Sequence, residues 1–169
     1  VPEPFPARRA WGPEPDYPSV LSYSRAPLKR PIVVAGPCSI ESDWHIKQSA
    51  DLLAKNKVIW MRGGVYRSGT YGARAAGFQP DRLAVWAKIA HAKGLQIAVE
   101  VVDLSVLGTI SRYADAYQVG ARQMQNYGLL RALSKQSKPV FLKRNMGATL
   151  HEFLGAAEYL ACGKTSDVI

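Results

Sequence analysis

The stretch `PIVVAGPCSIESDWHIKQSADLLAK`, residues 31–55, holds the pattern that decides the fold. A short β-branched apolar run, 32–35, stops at Gly36 and Pro37. A polar connection carrying Cys38 follows. Over 43–56 the apolar positions Ile46, Ala50, Leu53 and Ala54 then fall on one face of a helix. The same unit recurs down the chain. A strand over 58–61 leads through a glycine-rich loop to a helix over 80–93, with proline in its first turn and Gly94 just beyond its end. `LQIAVE` (95–100) precedes a helix over 105–113, and `AYQVG` (116–120) one over 125–135. `PVFLK` (139–143) precedes a helix over 149–162, where Thr149 and Glu152 have the spacing of a capping box. The closing `DVI` (167–169) predicts the start of a sixth strand.

Repeated β–α units of this length predict a parallel sheet with right-handed crossovers. Two architectures satisfy that, an open doubly wound sheet and a (β/α)8 barrel, and periodicity does not choose between them. The absence of a GxGxxG after the first strand withdraws the usual support for a dinucleotide fold.

Ahead of the repeats, residues 1–31 hold eight of the chain's eleven prolines. Such a segment sustains neither a helix nor an interior strand, so an extended arm is expected, with Phe5, Trp11, Tyr17 and Tyr23 as candidate anchors. The domain division is therefore 1–31 for the arm and 32–169 for the β/α body.

In a chain of 169 residues, 47% apolar and 21% charged, one soluble globular domain is expected. No apolar run approaches the about 20 residues of a membrane span. The net charge of +9 favours anionic partners. The basic residues are scattered, without zinc-finger spacing or an aromatic RNP-like strand, which argues against sequence-specific nucleic-acid binding. Two cysteines make no disulfide scaffold, so a reducing intracellular compartment is expected. The basic chain without an initiator methionine is compatible with an organelle such as the mitochondrion, with the cytoplasm as the alternative.

Chemistry in parallel α/β folds gathers at the C-terminal ends of the strands. The unusual residues fall there in each unit: Cys38 after the first strand, Arg62 in `RGG` after the second, Glu100 ending the third, Arg122 past the fourth, and Lys143 and Arg144 at the fifth. On a closed or nearly closed sheet these tips converge. Arg62, Arg122 and Lys143 crowded together with Glu100 as the single strand-end carboxylate are costly to desolvate unpaired, and a phosphate or carboxylate ligand offsets that cost. Cys38 at such a tip is a candidate metal ligand or thiolate. His45, His91 and His151 lie on predicted helices away from the tips and do not complete a metal site.

The blocks `VVAGPCSIES`, `MRGG`, `QVGARQMQNYGLL` and `KPVFLKRNMGATLHEFLGAAEYL` are similar, in order and spacing, to the 3-deoxy-D-arabino-heptulosonate 7-phosphate (DAHP) synthases, in the branch shared with the 3-deoxy-D-manno-octulosonate 8-phosphate synthases. The resemblance implies a partial (β/α)8 TIM barrel of about five β/α units plus the start of strand six. It also implies the family reaction, an aldol-type condensation of phosphoenolpyruvate with erythrose 4-phosphate in aromatic amino acid biosynthesis. Arg62, Arg67, Thr70, Arg122 and Lys143 match substrate-binding positions. Lys143 and Glu100 match catalytic ones, and Cys38 matches the family's cysteine ligand to a divalent metal.

Departures from the family pattern accompany these matches. The loop that reads like `AFKPRTSPYSFQG` in the family is `VYRSGTYGARAAG` here, with Arg67 in place of a lysine and Gly69 in place of an arginine. Thr70 and Gly77 are retained. Gln123 replaces an asparagine and Asn145 a glycine. The family's other three metal ligands come from later strands, so this chain alone is expected to hold no metal and to fall short of a competent synthase. An open barrel of this kind is expected to be covered by protein partners or by self-association. The alternative is a degenerate, non-catalytic relative serving as a structural or accessory subunit.

Overall fold

The computed structural model describes residues 32–65, 79–165 and 167–169. The proline-rich arm and the altered loop, with Arg67 and Thr70, lie outside the described residues. Five strands follow chain order in one sheet: β1 (Val34–Ala35), β2 (Trp60–Gly63), β3 (Gln96–Glu100), β4 (Ala116–Val119) and β5 (Val140–Leu142). The helices between and after them are α1 (Asp43–Lys55), α2 (Pro80–His91), α3 (Leu107–Tyr113), α4 (Tyr127–Ser134) and α5 (Leu150–Ala161). Each expected strand and helix is present, with ends moved by a few residues. β1 is the shortest, because Ile32 and Val33 precede its pairing with β2 and are exposed. Among the described residues no helix is long and apolar enough to cross a membrane.

The chain forms two compact units that divide within β4, one ending at Gln118 and the other beginning at Val119. In the first, β1 pairs with β2, β2 with β3 and β3 with β4, all parallel. Consecutive helices are neighbours too, α1 against α2 and α2 against α3. Strands and helices that both run in chain order put every crossover on one face of the sheet, which is barrel winding rather than the two-faced winding of a doubly wound sheet.

The two faces of that sheet are correspondingly different. Met61, Ile97, Val99 and Tyr117 alternate toward the helices and are fully buried. The buried Trp86 of α2 donates its indole N–H to Met61 Sδ at 3.2 Å. A Cβ on Gly63 would lie 3.1 Å from the Trp86 ring, so the small residue lets the helix seat on β2. Truncating Trp86 to alanine would cost about 3–5 kcal/mol. The other face carries Arg62, Ala98, Glu100, Ala116 and Gln118, small residues along the strands and polar ones at their ends.

Local signals fix the helix ends. Ser42 caps α1 by accepting from His45 N–H at 3.1 Å, and Pro80 opens α2. Gly94, at φ +72°, turns the chain into β3.

In the second unit, Lys143 N–H donates to Val119 O at 3.1 Å, joining the ends of β4 and β5. Asn126 caps α4, and Thr149 with Glu152 forms the expected capping box on α5. Val168 bridges Val140 in parallel, so the closing residues do begin a sixth strand. Helices α4 and α5 pack together, with Leu129, Leu130, Leu133, Ala156 and Leu160 buried.

Candidate active site at the strand ends

In the first unit the C-terminal ends of four strands bring together Cys38, Arg62, Glu100 and Gln118. The backbone requires glycine twice to do so. Gly36 has φ +144°, and a Cβ there would lie 2.3 Å from Arg62 O. Gly64 is pressed between β1 and β3, where a Cβ would stand 3.3 Å from both Cys38 O and Glu100 Oε2. Ile40 N–H donates to Gly64 O at 2.9 Å, which ties the Cys38 turn to the end of β2.

Arg62 reaches across β3 to β4. Its register partner on β3 is Ala98, whose small side chain leaves the path open. Its Nε donates to Gln118 Oε1 at 3.1 Å and its Nη1 to Cys38 Sγ at 3.4 Å. Gln118 is only 3% exposed, and its Nε2 is buried without a hydrogen-bond partner among the described residues. Leaving such a donor unmet costs about 1–3 kcal/mol. Glu100, the register partner of Gln118, is half-buried at the end of β3.

Beside this cluster lies a hollow of about 150 Å³ lined by Ser39, Glu41, Gly64, Gln79 and Arg82 among others. Arg82 is engaged there: its Nε donates to Gln79 Oε1 at 2.7 Å, and Nη1 stands 3.8 Å from Asp43.

The second unit presents cations at the adjoining ends of β4 and β5. Arg122 is exposed on the short 3-10 helix Ala121–Gln123, and Lys143 and Arg144 are exposed directly after β5. Arg144 Nη1 donates to Ala148 O at 2.7 Å, so this guanidinium closes its own loop. The rest of the `QVGARQMQN` block builds the support. Met124 is fully buried and its sulfur accepts from Asn145 N–H at 3.2 Å. Asn126 donates to Gln123 Oε1 at 3.0 Å while capping α4. Asn145 turns its own loop, accepting from Gly147 N–H at 2.9 Å.

Among the described residues no group of three or more His, Cys, Asp or Glu side chains is placed to hold a metal ion. Cys38 is one exposed thiol with a guanidinium as its neighbour. These residues alone do not fit a metal centre. His91 is far from such a role: its Nε2 meets Asp115 Oδ2 at 2.8 Å, beside the N–H of Ile97 near the start of β3.

The sequence named Cys38, Arg62, Glu100, Arg122 and Lys143, but Gln118, Gly36 and Gly64 emerge only from the structure. The available signal for Gln118 was a lone polar residue in an otherwise apolar strand, at a strand end like Glu100.

Comparison with known proteins agrees with this architecture. Residues 28–169 match the DAHP synthetase I family. Phospho-2-dehydro-3-deoxyheptonate aldolase of Thermotoga maritima is 34% identical over 137 residues, covering 81% of this chain and 40% of that protein. 2-Dehydro-3-deoxyphosphooctonate aldolase of Bradyrhizobium sp. is 28% identical over 119 residues, covering 66% and 42%. The crystal structure of the Thermotoga DAHP synthase superposes with a TM-score of 0.73 at 34% identity, over 80% of this chain and 39% of that one. A truncated form of the same synthase gives 0.69 at 33% identity, over 80% and 48%. The fold is that of a partial (β/α)8 barrel. The chain belongs to the DAHP synthetase I family and spans less than half the length of the relatives it matches.

Proposed function

We propose that residues 32–169 bind phosphoenolpyruvate as part of a DAHP-synthase-type active site, for aldol-type condensation with erythrose 4-phosphate. The observation that carries this reading is Arg62, held at a strand end by a buried glutamine in a chain of this family. A guanidinium fixed in this way suits the planar fork geometry of a phosphate or carboxylate. Arg122 and Lys143 are the further proposed contacts to the phosphate and carboxylate, with Lys143 and Glu100 as the proposed catalytic groups. Arg67 and Thr70 are the proposed contributions of the altered loop. The family generally uses a divalent metal, and Cys38 is proposed as one ligand to it.

A second reading, a non-catalytic accessory subunit, is favoured by one observation: Arg67 and Gly69 stand where the family loop has lysine and arginine. Arginine for lysine keeps the charge but changes reach, and the glycine removes a cation. Calorimetric titration with phosphoenolpyruvate tests the first reading. Saturable binding is expected, weakened about 10- to 100-fold by Arg122→Ala or Lys143→Ala, each removing a charge-assisted contact. Heat-silent titration of the unaltered chain by phosphoenolpyruvate would overturn it.

A further inference from the structure

Gln118 has no place in the assignments above, yet the geometry around it is specific. Its Oε1 accepts from Arg62 Nε, which can only donate. Turning the amide over would set two donors against each other, so Arg62 fixes the orientation of Gln118. That orientation leaves Nε2 buried and unmet. A methionine of similar length would fill the same space with no polar group to satisfy, so packing and stability do not account for a glutamine here.

The register shows what it does account for. Paired residues of a parallel ladder project on the same face, so Arg62, Ala98, Glu100 and Gln118 share one face of the sheet. Arg62 crosses above Ala98 to reach Gln118, and its Nη1 meets Cys38 on the other side. Two of the guanidinium's three nitrogens are thereby anchored. Among the described residues no hydrogen bond engages the third, Nη2.

Resting on the anion-binding reading above, we infer that Gln118 is the positioning residue for Arg62: it holds Nε so that the guanidinium meets an anionic ligand in one orientation. Without it, Arg62 would be a half-buried side chain free to swing, and each binding event would have to order it.

The test combines arginine Nε–H ¹⁵N relaxation with phosphoenolpyruvate titration of the full chain. In the unaltered protein Arg62 Nε–H should be as rigid as the backbone. Gln118→Met should make it as mobile as an exposed arginine and weaken phosphoenolpyruvate binding about 10-fold, with the thermal midpoint unchanged or raised. Gln118→Glu keeps an acceptor for Nε and should restore the rigidity. The inference falls if Arg62 is already mobile, if Gln118→Met leaves it rigid, or if binding and thermal midpoint fall together. The two proposals separate cleanly. Rigidity lost in Gln118→Met without any phosphoenolpyruvate binding to the parent would sink the anion reading and keep the clamp. Binding abolished by Arg62→Ala but untouched by Gln118→Met would do the reverse.

Discussion

The two ends of the sheet in the first unit treat their polar groups in opposite ways. At the N-terminal end, Asp115 accepts from Ile97 N–H at 2.7 Å and meets His91 at 2.8 Å, so its carboxylate is engaged by backbone and side chain. At the C-terminal end, Gln118 has one amide end engaged and the other unmet, and Arg62 is anchored through two of its three nitrogens. Satisfied polar groups stabilise; buried unsatisfied ones are tolerated where a site has use for them. Barrel-type folds are expected to divide in this way, with stability residues at the N-terminal strand ends and chemistry at the C-terminal ones.

The largest expected effect joins the two roles. Gly36→Ala would place a methyl 2.3 Å from Arg62 O at a φ of +144°. Strain and overlap together should cost about 3 kcal/mol or more, read from urea unfolding. A stability close to that of the parent would show that the strand end adapts and that Arg62 is less firmly placed than its backbone contacts imply.

A sharper contrast comes from the opposite end. Asp115→Ala removes the acceptor of the fully buried Ile97 N–H and should destabilise by about 1–3 kcal/mol while phosphoenolpyruvate affinity of the folded protein is unchanged. His91→Ala should cost less, under about 1 kcal/mol, because the pair is partly exposed and screened. Loss of affinity in Asp115→Ala would erase the division between the ends.

The smallest effect is a pH dependence in the second unit. The backbone N–H and hydroxyl of Thr149 hold the Glu152 carboxyl below the usual glutamate range. A folded-state value below the unfolded one means the cap contributes fully above the unfolded value and is lost as pH falls through the folded one. Glu152→Gln should therefore lower stability slightly at neutral pH, leave it nearly unchanged at acid pH below the folded value, and so flatten the acid limb of the stability curve. An acid limb identical to that of the parent would show that the box contributes nothing through its charge. Asp103, lowered by its bonds to Ser105, follows the same sign.

Much of this molecule was legible in its residues because the signals are local. Alternating β-branched runs and amphipathic helices, Pro80, Gly94 and the Thr149–Glu152 box each act within a few residues of chain, and each element appears where that pattern put it. The motif blocks likewise carried the family, since order and spacing are properties of the chain. Strand ends drifted most, as for β1, because pairing ends where the neighbour ends rather than where apolar residues do.

Tertiary structure alone decided three things. It chose barrel winding over a doubly wound sheet, since only spatial order shows that consecutive helices are neighbours on one face. It showed that Gly36 and Gly64 are required by close approach of other strands, which no local pattern records. It also turned Gln118 from one polar residue in `AYQVG` into the partner of Arg62, 56 positions away in sequence. A hydrogen bond across two strands depends on register and on the small Ala98 between them. Register is set by the packing of the whole sheet, so that contact exists only once the chain has folded.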